Sequence, residues 1–112
     1  MIMEGKPITI LLVEDEGAHA VIVKRNLNDF RLANKIMHVK DGLAALDYLY
    51  QRNGYADPQS APRPELILLD LRLPKVDGLE VLKTIKTDPA LARIPVVIMT
   101  TSAAEKDITQ AY

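Results

Sequence analysis

The sequence predicts an open α/β fold, a parallel β-sheet with helices on both faces. Three observations predict it: short apolar runs that are continuous rather than alternating, amphipathic helical stripes between them, and a regular alternation of the two along the chain. The runs at residues 8–13, 66–69 and 96–99 are rich in Ile, Leu and Val. Strands buried on both faces read this way, because neither face can be polar. A weaker run at 36–39 is expected to be a fourth strand.

Helical patterns separate the runs. Between Glu16 and Phe30, the residues Ala20, Val23, Leu27 and Phe30 recur at three-to-four spacing. Leu43, Leu46 and Leu49 do so after Gly42, and Leu79, Leu82 and Ile85 after Gly78. Each set gives one apolar stripe to lay on a sheet. The last segment opens Ser102-Ala103-Ala104-Glu105, a capping box in which the Ser side chain and the Glu three residues on satisfy helix-start N–H groups. The order β-α-β-α-β-α-β-α implies right-handed crossovers. Residues 51–65, with Gly54, Pro58, Ser60, Pro62 and Pro64, read as a loop longer than most connections of this kind. The 112 residues suit one domain, 1–112, with no internal repeat.

Composition narrows the function classes. The chain has no cysteine, so disulfides and thiolate metal sites are excluded. Net charge is −1 with both signs interspersed, and no Lys/Arg block marks direct nucleic-acid or anionic-membrane binding. No apolar run reaches the ~18–20 residues of a membrane span, and the N-terminus lacks a signal-peptide pattern. A cytoplasmic location is therefore expected.

In open parallel sheets, function gathers beyond the carboxyl ends of the strands. Glu14 and Asp15 follow the first run directly, Asp70 follows the third, and Thr100 and Thr101 follow the fourth. If the first and third strands are neighbours, these groups share one rim. One acid after a strand is ordinarily a helix cap or a solvated turn residue, and Asp15 alone suits an N-cap. An acidic pair, a third acid and a hydroxyl at matched strand ends point further. Carboxylates at close range repel and raise a pKa unless a cation relieves them. Oxygen-only ligands suit Mg²⁺ or Mn²⁺. Such an ion neutralises charge as a phosphoryl group arrives and leaves one carboxylate to act as nucleophile.

These residues resemble the response-regulator receiver family of two-component signalling. The likeness is carried by Leu11-Leu12-Val13-Glu14-Asp15, by Leu68-Leu69-Asp70-Leu71-Arg72-Leu73-Pro74, by Asp77-Gly78 and by Pro95-Val96-Val97-Ile98-Met99-Thr100. Asp70, Pro74 and Gly78 stand in the family's D-x-x-x-P-x-x-x-G spacing. The Pro-rich stretch from Ala61 to Asp70 and the run Asp41-Gly42-Leu43-Ala44-Ala45 look like stand-alone receivers that partner bacterial phytochromes.

The resemblance implies a flavodoxin-like (CheY-like) sheet of order 2-1-3-4-5 and a role for each matched position. Asp70 is implied as the phosphoacceptor, taking phosphate from a histidine kinase, and Thr100 as the switch hydroxyl. Asp15, Asp70 and the backbone carbonyl of Arg72 are implied as direct Mg²⁺ ligands, with Glu14 acting through a metal-bound water. Glu stands where the family more often has Asp, and its longer side chain bears on the water geometry. Pro74 and Gly78 are read as shaping the turn and helix start after Asp70. His19 and His38, without a paired His at ligand spacing, are read as surface or packing residues rather than phosphodonors.

The family continues with a fifth strand, a Lys at its end and a fifth helix, for which this sequence shows no counterpart; Lys106 lies on the fourth helix and in the wrong context. Strand 96–99 is then expected to be an exposed edge, repaired by dimerisation or strand exchange. With no DNA-binding segment here, output is expected through protein–protein contact. The alternative is a receiver-like binding module that no longer switches. An aspartate-nucleophile phosphatase generally needs a second Asp two residues after the nucleophile, where Arg72 stands, and no G-x-G-x-x-G follows the first strand for a dinucleotide. Sedimentation velocity in dilute solution is expected to show self-association or a poorly cooperative monomer; a stable, cooperative monomer contradicts that expectation.

Overall fold

The computed structural model describes residues 8–29, 35–73 and 76–99. In chain order they form β1 (Thr9–Val13), α1 (Gly17–Asp29), β2 (Lys35–Val39), α2 (Gly42–Leu49), a single 3₁₀ turn (Asn53–Tyr55), β3 (Leu66–Asp70), α3 (Gly78–Thr87) and β4 (Val96–Met99). The strands pair in the order β2-β1-β3-β4, all parallel. All four expected strands are present, including the weak one at 36–39. The capping box at 102–105, Lys106 and the Leu27 and Phe30 side chains lie outside the described residues.

The sheet separates two apolar layers, which is why the strand sequences do not alternate. Leu11 and Val13 of β1 join Ile67 and Leu69 of β3 and Val96 and Ile98 of β4 beneath α2 and α3. Ile10, Leu12 and Leu68 point the other way, onto Ala20 and Val23 of α1. Every β1 residue is buried. Burying an Ile or Leu side chain contributes about 1.5–3 kcal/mol, so this central strand anchors both layers. β4 is the outer strand among the described residues, and Val97 on its α1 side is 44% exposed.

Two helical stripes are phased differently from the sequence expectation. Leu43 and Leu79 are 42% and 57% exposed. The inner faces are instead Gly42, Ala45 and Leu49 on α2, and Gly78, Val81 and Ile85 on α3, each at i, i+3, i+7. The first contact of each helix is thus a glycine, which a hydrophobicity pattern reads as punctuation. A Cβ on Gly42 would run into the Val76 carbonyl. Helix α2 is held at that close approach by its N-cap, Asp41, whose Oδ1 accepts from the Ala44 N–H at 2.7 Å.

The 51–65 loop is mostly exposed but is anchored to the fold at several points. Gln51 and Asn53 take left-handed backbone angles, φ 53° and 57°, which turn the chain sharply after α2. Ala61 is buried in the α2–α3 layer. The Tyr48 hydroxyl donates to the Pro62 carbonyl at 2.8 Å, and Gln51 Nε2 donates to the Ala61 carbonyl at 3.2 Å. Tyr55 packs against the Tyr48 ring with centroids 5.4 Å apart. At the far end, Glu65 N–H donates to the Thr9 carbonyl while its Oε1 accepts from the Thr9 N–H, both at 2.8 Å. The Pro-rich sequence is what lets this backbone pack with few N–H groups to satisfy.

Tyr48→Phe is expected to lower the unfolding free energy by about 1 kcal/mol in urea titrations at neutral pH. Burial holds the Tyr48 phenol up at about 12. The folded chain keeps this proton at a pH where an unfolded tyrosine, with pKa about 10, has released it. Wild-type stability therefore falls as pH rises from about 10 toward 12, and the Phe variant is expected to show a smaller fall.

Candidate functional site

Adjacent parallel strands end on the same edge of the sheet, and β1 lies beside β3 with Val13 level with Leu69. One residue further, Glu14 stands level with Asp70. Glu14 continues the sheet past β1 through its N–H, which donates to the Val39 carbonyl at 3.0 Å. Asp70 closes β3 opposite Met99 of β4. Glu14 is fully buried, Asp70 is 2% exposed, and Asp15 faces solvent. Carboxylate oxygens of Glu14, Asp15 and Asp70 lie within 4.8 Å of one another.

The backbone after Asp70 folds over it. The Arg72 N–H donates to Asp70 Oδ1 at 2.9 Å, which holds the Arg72 main chain beside the carboxylate. The Arg72 side chain itself is exposed. Gly78 makes this turn possible: a Cβ there would stand 2.5 Å from Leu71 Cα and 2.7 Å from the Asp70 carbonyl. Asp70 is thus fixed from both sides, by β3 and by the start of α3.

Glu14 carries an electrostatic conflict. Burial pushes its carboxyl above the usual range; hydrogen bonds from His19 and from the Glu16 N–H pull it back, and the Asp70 charge pushes it up again. Its Oε1 lies 2.7 Å from His19 Nδ1, and Oε2 accepts from the Glu16 N–H at 3.2 Å. His38 on β2 reaches the same residue from the other side: its Nε2 lies 2.7 Å from the Glu14 carbonyl oxygen, which can only accept, so His38 donates.

The structure therefore brings together Glu14, Asp15 and Asp70, as the strand ends suggested, and sets the Arg72 N–H on Asp70. Pro74, Thr100 and Thr101 lie outside the described residues. Sequence reasoning missed the two histidines, read there as surface or packing residues. His19 lies five residues after Glu14, and only the sharp turn from β1 into α1 returns its ring to the carboxylate. His38 lies level with Leu12 in the β1–β2 register, a relation invisible before the strands are paired.

Residues 10–112 match the response regulator receiver domain family. The chain belongs to that family. It is 47% identical over 106 residues to "Response regulator Rcp1" of Synechocystis sp. (strain ATCC 27184 / PCC 6803 / Kazusa), covering 95% of this chain and 70% of that protein. Among solved structures, it resembles the phosphorylated cyanobacterial phytochrome response regulator RcpA, with TM-score 0.78 and 46% identity over 90% of this chain and 70% of that one. The Mn²⁺-bound form of Rcp1 matches with TM-score 0.73 and 46% identity, again over 90% and 70%. The chain is thus a receiver domain of two-component signalling, a family whose function is phosphoryl transfer. Among the described residues, no helix of this receiver is long and apolar enough to cross a membrane.

Gly78→Ala forces the Asp70–Leu71 backbone to move. It is expected to cost about 1–3 kcal/mol of stability in denaturant titrations. It should also weaken Mn²⁺ binding in a titration of the folded variant.

Proposed function

We propose that Asp70 is the phosphoacceptor of this receiver and that Glu14, Asp15, Asp70 and the Arg72 carbonyl hold a divalent cation, Mg²⁺ or Mn²⁺. The observation that carries this reading is the placement of a nearly buried Asp70 among two further carboxylates at the end of a central parallel strand. The donor set fits the ion: every ligand atom is oxygen, as hard cations prefer. Burial and the Asp70 charge both oppose ionisation of Glu14, a conflict that a cation relieves. The Mn²⁺-bound structure of Rcp1 and the phosphorylated structure of RcpA support the same assignment.

When bound, the cation supplies charge neutralisation for the incoming phosphoryl group. The remaining steps belong to the chain. Arg72 N–H holds Asp70 Oδ1, which orients the carboxylate and leaves its other oxygen to attack phosphorus in line. A P–O bond to Asp70 forms as the P–N bond of a phosphohistidine breaks, and the donor imidazole leaves with the bonding pair and takes up a proton. The product is an acyl phosphate. Asp70 is buried enough to limit water access. Thr100, which follows β4 directly, is the switch hydroxyl in this reading, moving to hydrogen-bond the phosphoryl group and biasing two states of the domain.

The donor in this reading is a histidine kinase of the phytochrome type, in the cytoplasm. The domain turns over no external substrate and acts through protein–protein contact. Incubation with Mg²⁺ and acetyl phosphate is expected to give a phosphoryl adduct by intact mass, absent with Asp70→Asn. A folded wild-type sample that gives no adduct removes the acceptor role and leaves a binding module.

A further inference from the structure

Glu14 is buried, and both of its carboxylate oxygens are already held by the protein. Oε1 meets His19 Nδ1 at 2.7 Å and Oε2 meets the Glu16 N–H at 3.2 Å. An ionised carboxylate only accepts, so in that state His19 must donate through Nδ1–H. Such charge-assisted contacts are short and directional. A third contact, His38 Nε2 on the Glu14 carbonyl, fixes the main chain from which this side chain springs. Glutamate has one more rotatable bond than aspartate, so an untethered Glu14 has both the reach and the freedom to turn toward Asp15 and Asp70, whose oxygens lie within 4.8 Å. The restraint comes from the turn between β1 and α1, which carries Glu16, and from the first turn of α1, which carries His19.

We propose that His19 is a positioning residue that keeps Glu14 in the outer sphere of the cation, joined to it through water rather than bound directly. The inference rests on the metal-site reading above. Partners behind a ligand commonly decide its orientation, and Mg²⁺-type sites retain several waters. Here the histidine sets how many. Water retained on the ion is also water available near the acyl phosphate, so the tether bears on how long the phosphoryl group survives.

Mn²⁺ reports directly on this. A binding isotherm gives its affinity, and water-proton relaxation of the bound ion gives its inner-sphere water content. His19→Phe keeps a ring and removes the donor; His19→Asn places an amide N–H near the position of Nδ1. Since His19 is only partly buried, both variants are expected to fold, as circular dichroism will show. The expected result is a lower inner-sphere water content in the Phe variant, because Glu14 enters the coordination sphere, with the wild-type value restored in the Asn variant. A structural role alone would not change the hydration of the ion.

Equal water content in wild type and Phe variant overturns the positioning role while leaving the metal site intact. Complete loss of Mn²⁺ binding in a folded Phe variant also overturns it, by making His19 a ligand. Failure of Asn to restore hydration overturns the claim that the donor acts. Absence of Mn²⁺ binding to the wild type removes the metal-site reading itself, and this inference with it.

Discussion

The parallel pairing of β1 with β3 is the constraint on which the rest of this receiver depends. Two strands running the same way, in register, must deliver their following residues to the same edge, and here those residues are acidic. The pairing is strongly specified because β1 is buried on both faces. A slip by one residue would exchange Leu11 and Val13 with Ile10 and Leu12 between the two layers and would separate Glu14 from Asp70. The apolar core and the acidic rim are therefore consequences of one register.

That register creates a problem that the neighbouring elements partly answer. Carboxylates packed together on a buried rim oppose one another and resist desolvation. For Glu14, the folded chain favours the protonated form, so the group binds more protons folded than unfolded over the range between its unfolded and folded pKa values. Its contribution to stability falls as pH rises through that range. At neutral pH this is a destabilising term. His19 and the Glu16 N–H limit the penalty without removing it, using donors from α1 and from the turn between β1 and α1.

Close backbone approaches hold this arrangement. Gly78 lets α3 begin against the main chain of Asp70 and Leu71, and Gly42 lets α2 begin against Val76. The connection from β3 to α3 thus meets both helix starts. Behind it, Tyr48, Tyr55 and Ala61 seat the Pro-rich segment beside the α2–α3 layer. None of these contacts touches Asp70 directly except Gly78, yet together they hem in the main chain around it.

The sequence by itself determined the alternating architecture, the four strands and the three acids, because strands buried on both faces need continuous apolar runs and chain order places acids at the ends of the first and third. Spacing from Asp70 to Gly78 marked the turn as well. Tertiary structure alone decided which residues complete the rim. Leu43 and Leu79 looked like core and are exposed, since the inner face of each helix is phased by a glycine that carries no hydrophobic signal. The 51–65 segment read as a long loop, and its anchoring rests on carbonyls that Tyr48 and Gln51 reach only in the folded chain. His19 and His38 looked incidental and both meet Glu14. Periodicity describes one element at a time, whereas a hydrogen bond between a helix, a strand and a strand end exists only after the sheet has brought them together.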